Sequence, residues 1–211
     1  MEKYNPDIHH RRSIRLKGYD YSHAGLYFVT ICCQNKANFF GEIDNDLMAL
    51  NDAGKMIEKW YYELGNKFPD KKCHEMIIMP NHFHCIIENM PVMVALETGA
   101  HVGVPLRGYP FTQNSNKKFN ASIGDAINWF KTMTTNEYIR GVKILNWKSF
   151  DKRIWQRNYW EHIIRNENEF IKISDYVRNN PIMWHEDTLN GGAGNFVMES
   201  STPYNEEKWM V

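Results

Sequence analysis

The sequence predicts an α+β fold built on an antiparallel sheet, and three observations carry this prediction. Residues 25–33 are rich in β-branched and aromatic side chains, as in a central strand. Residues 74–79 and 82–88 are two apolar runs separated by a Pro-Asn pair, which predicts a tight turn and therefore a β-hairpin. Residues 49–68 carry apolar side chains at helical spacing, with Asn51 as a cap near the start.

Three further elements complete the predicted order. Helices are expected at residues 122–140 and 167–179, and a strand at residues 159–164, with the last helix ending before Pro181. The order is strand, helix, hairpin, helix, strand, helix. Its first five elements give βαββαβ, the arrangement of ferredoxin-like folds. We therefore expect an antiparallel sheet with helices on one face and an added C-terminal helix.

The length and the local composition predict one domain with two additions. The chain has 211 residues, about the size of a single domain with short extensions. We expect the domain to span residues 1–185, with a flexible acidic tail at residues 186–211. Residues 90–118 have no steady period and are rich in Gly, Pro, Asn and Ser, so they predict a loop insertion.

Composition excludes several classes of protein. The apolar fraction of 43% is that of a globular chain, and no apolar run is long enough for a membrane-spanning helix. No apolar stretch follows the N-terminal charges, so we expect no secretory signal, no membrane partner and a cytoplasmic protein. The four cysteines are predicted to be reduced thiols and not a disulfide framework.

The charge is balanced overall but unevenly placed. Lys+Arg and Asp+Glu are both 25, which lacks the basic excess of most nucleic-acid binders. Residues 113–172, however, hold eleven basic and six acidic side chains. A short basic arm near the N-terminus contains Arg11, Arg12, Arg15 and Lys17. This pattern is compatible with local phosphate binding, and equally with a solvated surface of uneven charge.

The predicted hairpin contains a candidate metal site. Side chains alternate along a strand, so His82 and His84 project from one face while Phe83 and Cys85 point to the other. Two imidazoles so placed can bind one metal ion, although such a pair is more often a surface pair without a ligand.

The last helix supplies a candidate nucleophile and a third ligand. Tyr176 and Asn180 are spaced i, i+4 and share one helix face if the helix extends that far. A tyrosine has a pKa near 10 and needs a nearby cation to attack phosphorus, whose oxygen a metal would also polarise. The alternative is that Tyr176 is a packing residue on an amphipathic helix.

Three motifs in order resemble one known family. The sequence PNHFH at residues 80–84 resembles the histidine–hydrophobe–histidine (HUH) motif of single-tyrosine transposases. Residues 154–166 (IWQRNYWEHIIRN) and 173–181 (ISDYVRNNP) resemble motifs of the REP-associated tyrosine transposases. The resemblance covers roughly residues 14–185, with Phe130-Lys131 matching the helix before the tryptophan motif.

This resemblance implies a function and roles for residues. It implies a transposase-like endonuclease and strand transferase that cuts single-stranded DNA at hairpin-forming repeats through a 5′-phosphotyrosine, with Mg²⁺ or Mn²⁺. Tyr176 would be the nucleophile, and His82, His84 and Asn180 the metal ligands. Single-stranded or hairpin DNA would be the partner, and the protein a monomer or a homodimer. Besides the basic arm, the candidate DNA-binding residues are Lys131, Arg153 and Arg157.

Three alternatives stay open at this point. Tyr159 lies in a family motif too and competes with Tyr176 as nucleophile. The sheet can instead belong to a non-catalytic module that binds single-stranded nucleic acid. The histidines can also form a zinc site with Cys73, His74 or Cys85, although alternation places Cys85 on the opposite face.

Overall fold

The structure, a computed structural model, describes residues 18–91 and 118–190. The candidate arm residues Arg11, Arg12, Arg15 and Lys17 lie outside these ranges, as do most of the predicted insertion and tail. A 3-10 turn covers Gln34–Lys36. The strands and helices are β1 (Gly25–Cys32), β2 (Gly41–Asp44), β3 (Leu47–Leu50), α1 (Asp52–Lys67), β4 (Lys71–Ile78), β5 (His82–Asn89), α2 (Ile123–Ile144), β6 (Trp160–Ile164) and α3 (Glu167–Asn179).

Four strands form the main sheet, in the order β4-β5-β1-β6, and every neighbouring pair is antiparallel. Strands β1, β4, β5 and β6 with helices α1 and α2 give the predicted βαββαβ order. The predicted ferredoxin-like α+β fold is therefore confirmed. The register places Thr30 of β1 opposite His84 of β5, and Cys32 opposite His82.

The two faces of the sheet have different coverings. The main core lies on the face covered by α1 and α2, where side chains such as Val29, Phe83 and Phe130 are fully buried. The opposite face carries α3 over a smaller apolar cluster, formed by Phe28, Ile86, Ile164, Ile173 and Val177. Since α1 and α2 share one face and α3 is added on the other, the predicted layering is also confirmed.

One hairpin was not predicted. Strands β2 and β3 lie between β1 and α1, in a stretch whose end the helical spacing had assigned to α1. The predicted start of α1 at residue 49 is therefore wrong, because the chain is still in β3 until Leu50. Asn45 and Asp46 join the two strands with φ angles of 48° and 60°. Asn and Asp tolerate this left-handed region, as the tight hairpin turn requires.

Helix caps explain where the helices begin. Asn51 accepts a hydrogen bond from the backbone N–H of Gly54 (2.9 Å), which confirms it as the cap of α1. Ser122 caps α2 in a reciprocal box with Asp125. Helix α2 runs to Ile144, one turn beyond the predicted end. No helix within residues 18–91 and 118–190 is long and apolar enough to cross a membrane.

The two ends of the predicted insertion are fixed to the loop between α1 and β4. The N–H groups of Met90 and Asn120 donate to the backbone carbonyl (2.8 Å) and the carboxylate (3.0 Å) of Asp70. The Lys118 N–H donates to the Lys67 carbonyl (2.8 Å). Asp70 is itself paired with the buried ammonium of Lys71 at 2.6 Å. Residues 90 and 118–120 are thus held at one polar anchor.

Candidate metal and tyrosine site

His82 and His84 project from one face of β5, as alternation predicts. Both side chains are buried, and their ring centroids are 4.6 Å apart. Phe83 and Cys85 point into the core on the other face. The strand therefore uses one face for the domain core and the other for a pair of imidazoles.

Hydrogen bonds at the inner ring nitrogens orient both imidazoles. The Nδ1 of His82 lies 2.8 Å from the amide oxygen of Asn81, and the Nδ1 of His84 lies 2.8 Å from the hydroxyl of Thr30. Asn81 uses its amide nitrogen to donate to the carbonyls of Lys36 (3.2 Å) and Leu189 (2.9 Å). Its oxygen therefore faces His82 as an acceptor, which places the His82 proton on Nδ1 and leaves Nε2 with a free lone pair.

Burial keeps the imidazoles neutral. It lowers the pKa of His82 to about 3, while the nearby Asn180 side chain acts in the opposite direction. Burial and the neighbouring His82 also hold the pKa of His84 well below its usual range. Neutral imidazole is the form that binds a metal ion, so at neutral pH both rings are ready to act as ligands.

Tyr176 reaches the imidazole pair from α3. Its hydroxyl lies 3.5 Å from Nε2 of His84, and its ring packs edge-on against Phe28. The residue is 39% exposed, while its hydroxyl contacts the buried His84. Burial and the negative charge of Asp187 raise the pKa of Tyr176 to about 12, although Asn180 lowers it. Without a cation, this phenol is protonated at neutral pH.

Asn180 completes the predicted set. The helical backbone continues through it past the end of α3, with φ and ψ of −55° and −39°, so it follows Tyr176 by one turn. Its side chain is buried and lies close enough to His82 and Tyr176 to affect the pKa of each. The structure thus brings together the four residues predicted for the site: Tyr176, His82, His84 and Asn180.

Asp187 also lies at the site, and the sequence did not predict it. Residues 181–190 form turns that fold back over the site, so the first residues of the predicted tail are packed against the domain. In this segment Trp184 lies over His82, with ring centroids 6.0 Å apart. The Oδ2 atom of Asp187 lies 3.6 Å from Nε2 of His82. A boundary drawn from composition placed Asp187 in the tail, and no local pattern marks it.

Three buried polar atoms of this site lack a hydrogen-bond partner among the described residues: His82 Nε2, Asn180 Oδ1 and Asp187 Oδ2. Such atoms are rare in folded proteins, and a bound ligand would give them the partner that they lack. An imidazole nitrogen with amide and carboxylate oxygens suits a divalent cation. No group of three His, Cys, Asp or Glu side chains in the described ranges has the spacing of a metal site. A ligand set here would therefore need the amide of Asn180.

The competing residues lie elsewhere. Cys85 is buried in the core on the far face of β5, and His74 pairs with Glu88 at 2.8 Å. Tyr159, the rival nucleophile, packs into the main core and is only 8% exposed. All four cysteines belong to the described residues and are free thiols.

The described candidate DNA-binding residues differ in their surroundings. The Lys131 ammonium donates to the carbonyls of Gln156 (2.6 Å) and Arg157 (3.1 Å). Burial and the nearby Arg153 lower the pKa of Lys131 to about 8. Lys131 therefore supports the loop at residues 156–157, whereas Arg153 and Arg157 are exposed and can reach a ligand.

Comparisons with known proteins identify a relative that belongs to the same family as this chain. The chain is 42% identical over 187 residues to an uncharacterized protein of Haemophilus influenzae, covering 89% of this chain and 97% of the relative. The two proteins belong to one family. A second protein of that organism, named "Putative REP-associated tyrosine transposase", is 23% identical over 166 residues, 77% of this chain and 73% of its own length. No family model matches the chain.

A solved structure of a REP-associated tyrosine transposase bound to a REP hairpin superposes on this chain with a TM-score of 0.48. The sequence identity is 16%, and the match covers 86% of this chain and 87% of the other.

Proposed function

We propose that this protein is a metal-dependent endonuclease and strand transferase that cuts single-stranded DNA at hairpin-forming repeats through a 5′-phosphotyrosine intermediate. One observation carries the proposal: the Tyr176 hydroxyl faces two neutral, oriented imidazoles, 3.5 Å from His84, with the Asn180 amide one helical turn away. The motifs around these residues resemble those of REP-associated tyrosine transposases, and a protein of that name is similar in sequence.

His82, His84 and Asn180 would hold the cation, which we propose to be Mg²⁺ or Mn²⁺. When bound, such an ion polarises a phosphate oxygen and favours the ionised form of a nearby phenol. The chain prepares the ligands itself. Asn81 and Thr30 fix the ring orientations, and burial keeps the imidazoles unprotonated.

Tyr176 would carry the covalent step. Its oxygen forms a bond to phosphorus, and the bond between phosphorus and the 3′ oxygen breaks. The phenol proton passes through solvent to the departing oxygen, which leaves as a free 3′-hydroxyl. Attack by another 3′-hydroxyl reverses the step and transfers the strand.

Exposed basic residues would hold the DNA beside this site. Arg153 and Arg157 can bind phosphates at the domain surface, and the N-terminal arm can add further contacts. Lys131 would contribute mainly by supporting the loop that carries Arg157.

A covalent-adduct assay tests the proposal. The protein is mixed with labelled single-stranded hairpins from the DNA flanking its own gene, with Mg²⁺ or Mn²⁺, and run on a denaturing gel. We expect a labelled protein band that requires the metal. The band should disappear in Tyr176→Phe and His82→Ala.

Two tyrosine variants serve as controls. Tyr62 is 58% exposed on α1, so Tyr62→Phe should leave the adduct unchanged. An adduct that survives Tyr176→Phe but is lost in Tyr159→Phe would reassign the nucleophile. Tight hairpin binding without any adduct would instead support the non-catalytic binding module.

A further inference from the structure

We propose that Asp187 is the acidic group of the cation site, and that its carboxylate strengthens divalent-cation binding at His82, His84 and Asn180. This inference rests on the proposed function, because that function requires the cation. Asp187 lies beyond the motifs that carry the family resemblance, which end at residue 181.

The carboxylate is held with one oxygen aimed at the site. Its Oδ1 accepts a hydrogen bond from the backbone N–H of Leu189 at 2.7 Å. Its Oδ2 is buried, 3.6 Å from Nε2 of His82, and has no hydrogen-bond partner among the described residues. An anionic oxygen left in this state is costly, unless a positive charge binds next to it.

The atom that faces this oxygen is electron-rich as well. The His82 proton lies on Nδ1, where it is donated to Asn81, so Nε2 presents a lone pair toward Asp187. The two atoms lie 3.6 Å apart and make no hydrogen bond to each other. A cation bound by Nε2 would give the carboxylate a positive partner.

The same residue that orients His82 also fixes the acidic turn. Asn81 donates to the carbonyl of Leu189 at 2.9 Å, and the Lys36 ammonium donates to the carbonyl of Thr188 at 2.9 Å. The carboxylate and the imidazole therefore share one rigid support. Such supporting contacts are typical of residues that tune a metal site.

Charge gives the carboxylate its role. Two imidazoles and an amide form a neutral ligand set, and imidazole nitrogens favour ions such as Zn²⁺, whereas carboxylates favour Mg²⁺ and Mn²⁺. Among the described residues, Asp187 does not lie at the spacing that would make it a third metal ligand with His82 and His84. We therefore regard it as a positioning residue that acts on the bound ion as a neighbouring charge.

The test measures Mn²⁺ binding by titration calorimetry on the chelator-stripped, full-length protein, without DNA. Asp187→Asn keeps the shape and removes the charge, and we expect it to weaken Mn²⁺ binding about 10-fold to 100-fold. Glu186→Gln removes the same charge from the exposed neighbouring side chain, and it should change the affinity less than about twofold. Zn²⁺ affinity should fall less than Mn²⁺ affinity in Asp187→Asn, which a merely structural role would not produce.

The outcomes separate this inference from the proposed function. If wild type binds Mn²⁺ in a way that His82→Ala abolishes, and Asp187→Asn binds it equally well, this inference fails and the proposed function stands. Tighter binding by Asp187→Asn would also overturn it, since the carboxylate would then compete with the ion. Absence of His82-dependent binding in wild type would remove the metal from the proposed function itself. If Asp187→Asn does not fold, Asp187→Ser provides the same neutral comparison.

Discussion

Replacing Thr30 with valine tests whether the hydrogen bond to His84 prepares that ring for a metal. Thr30 is buried in β1, directly opposite His84, and its hydroxyl lies 2.8 Å from Nδ1. Valine has nearly the same shape but cannot accept a hydrogen bond. A His84 ring that binds a metal through Nε2 carries its proton on Nδ1, so in Thr30→Val it either keeps a buried N–H without a partner or moves that proton to Nε2.

Each outcome has a cost that can be given a magnitude. A buried donor without a partner destabilises the fold by about 1–3 kcal/mol. A proton on Nε2 avoids part of this cost, but it blocks the atom that would bind the metal. Loss of such a supporting contact typically weakens metal binding about 10-fold to 100-fold, or about 1.4–2.7 kcal/mol. We therefore expect Thr30→Val to bind Mn²⁺ about 10-fold to 100-fold more weakly than wild type.

Electron paramagnetic resonance of free Mn²⁺ measures the affinity, and urea unfolding measures stability. Thr134→Val is the matched control, because Thr134 is buried in α2 among main-core residues and its hydroxyl accepts from the Trp155 indole at 2.9 Å. It should lose comparable stability and retain its Mn²⁺ affinity. The reasoning is refuted if Thr30→Val binds Mn²⁺ like wild type, or if Thr134→Val loses as much affinity.

Two further predictions concern pH and the insertion. The pKa of His82 is about 3 in the fold and about 6.5 when unfolded, so the unfolded chain takes up more protons between these values. The free energy of unfolding should therefore be highest above pH 6.5 and fall toward pH 3. Urea unfolding at several pH values measures this fall, which should be smaller in His82→Gln than in wild type. The control His185→Gln changes an exposed histidine and should show the same fall as wild type. Replacing residues 92–117 with a short Gly/Ser linker should leave the melting temperature, measured by calorimetry, nearly unchanged. The reason is that Met90, Lys118 and Asn120 are already fixed to the loop beside Asp70. A large drop in melting temperature would show that the insertion stabilises the domain.

Local periodicity explains what the sequence could predict. Alternation along a strand placed His82 and His84 on one face, and helical spacing placed Asn180 one turn beyond Tyr176. Both relations span a few residues, so they do not depend on the rest of the chain. The missed β2–β3 hairpin is also local, since Asn45 and Asp46 are residue types that favour its turn.

The rest of the site depends on contacts between distant residues. Thr30 meets His84 through strand pairing across 54 positions of sequence, and a pattern within β1 does not mark it. Asp187 is placed by the contacts that Asn81 and Lys36 make with the turn, across 108 and 152 positions. Composition alone puts that turn in an acidic tail, so the carboxylate was not recognised.

The raised pKa of Tyr176 connects the geometry of the site with the proposed role of the metal ion. A phenol of pKa about 12 is ionised in about one molecule in 10⁵ at pH 7, compared with about one in 10³ for an unperturbed tyrosine. Burial and Asp187 therefore make the metal-free phenolate of Tyr176 about 100-fold less populated than that of a tyrosine in water. The same carboxylate that suppresses the phenolate would attract the cation that restores it. If the proposed mechanism holds, adduct formation on a denaturing gel should depend on the metal concentration more steeply than hairpin binding does, because the ion would act on both the phosphate and the Tyr176 phenol.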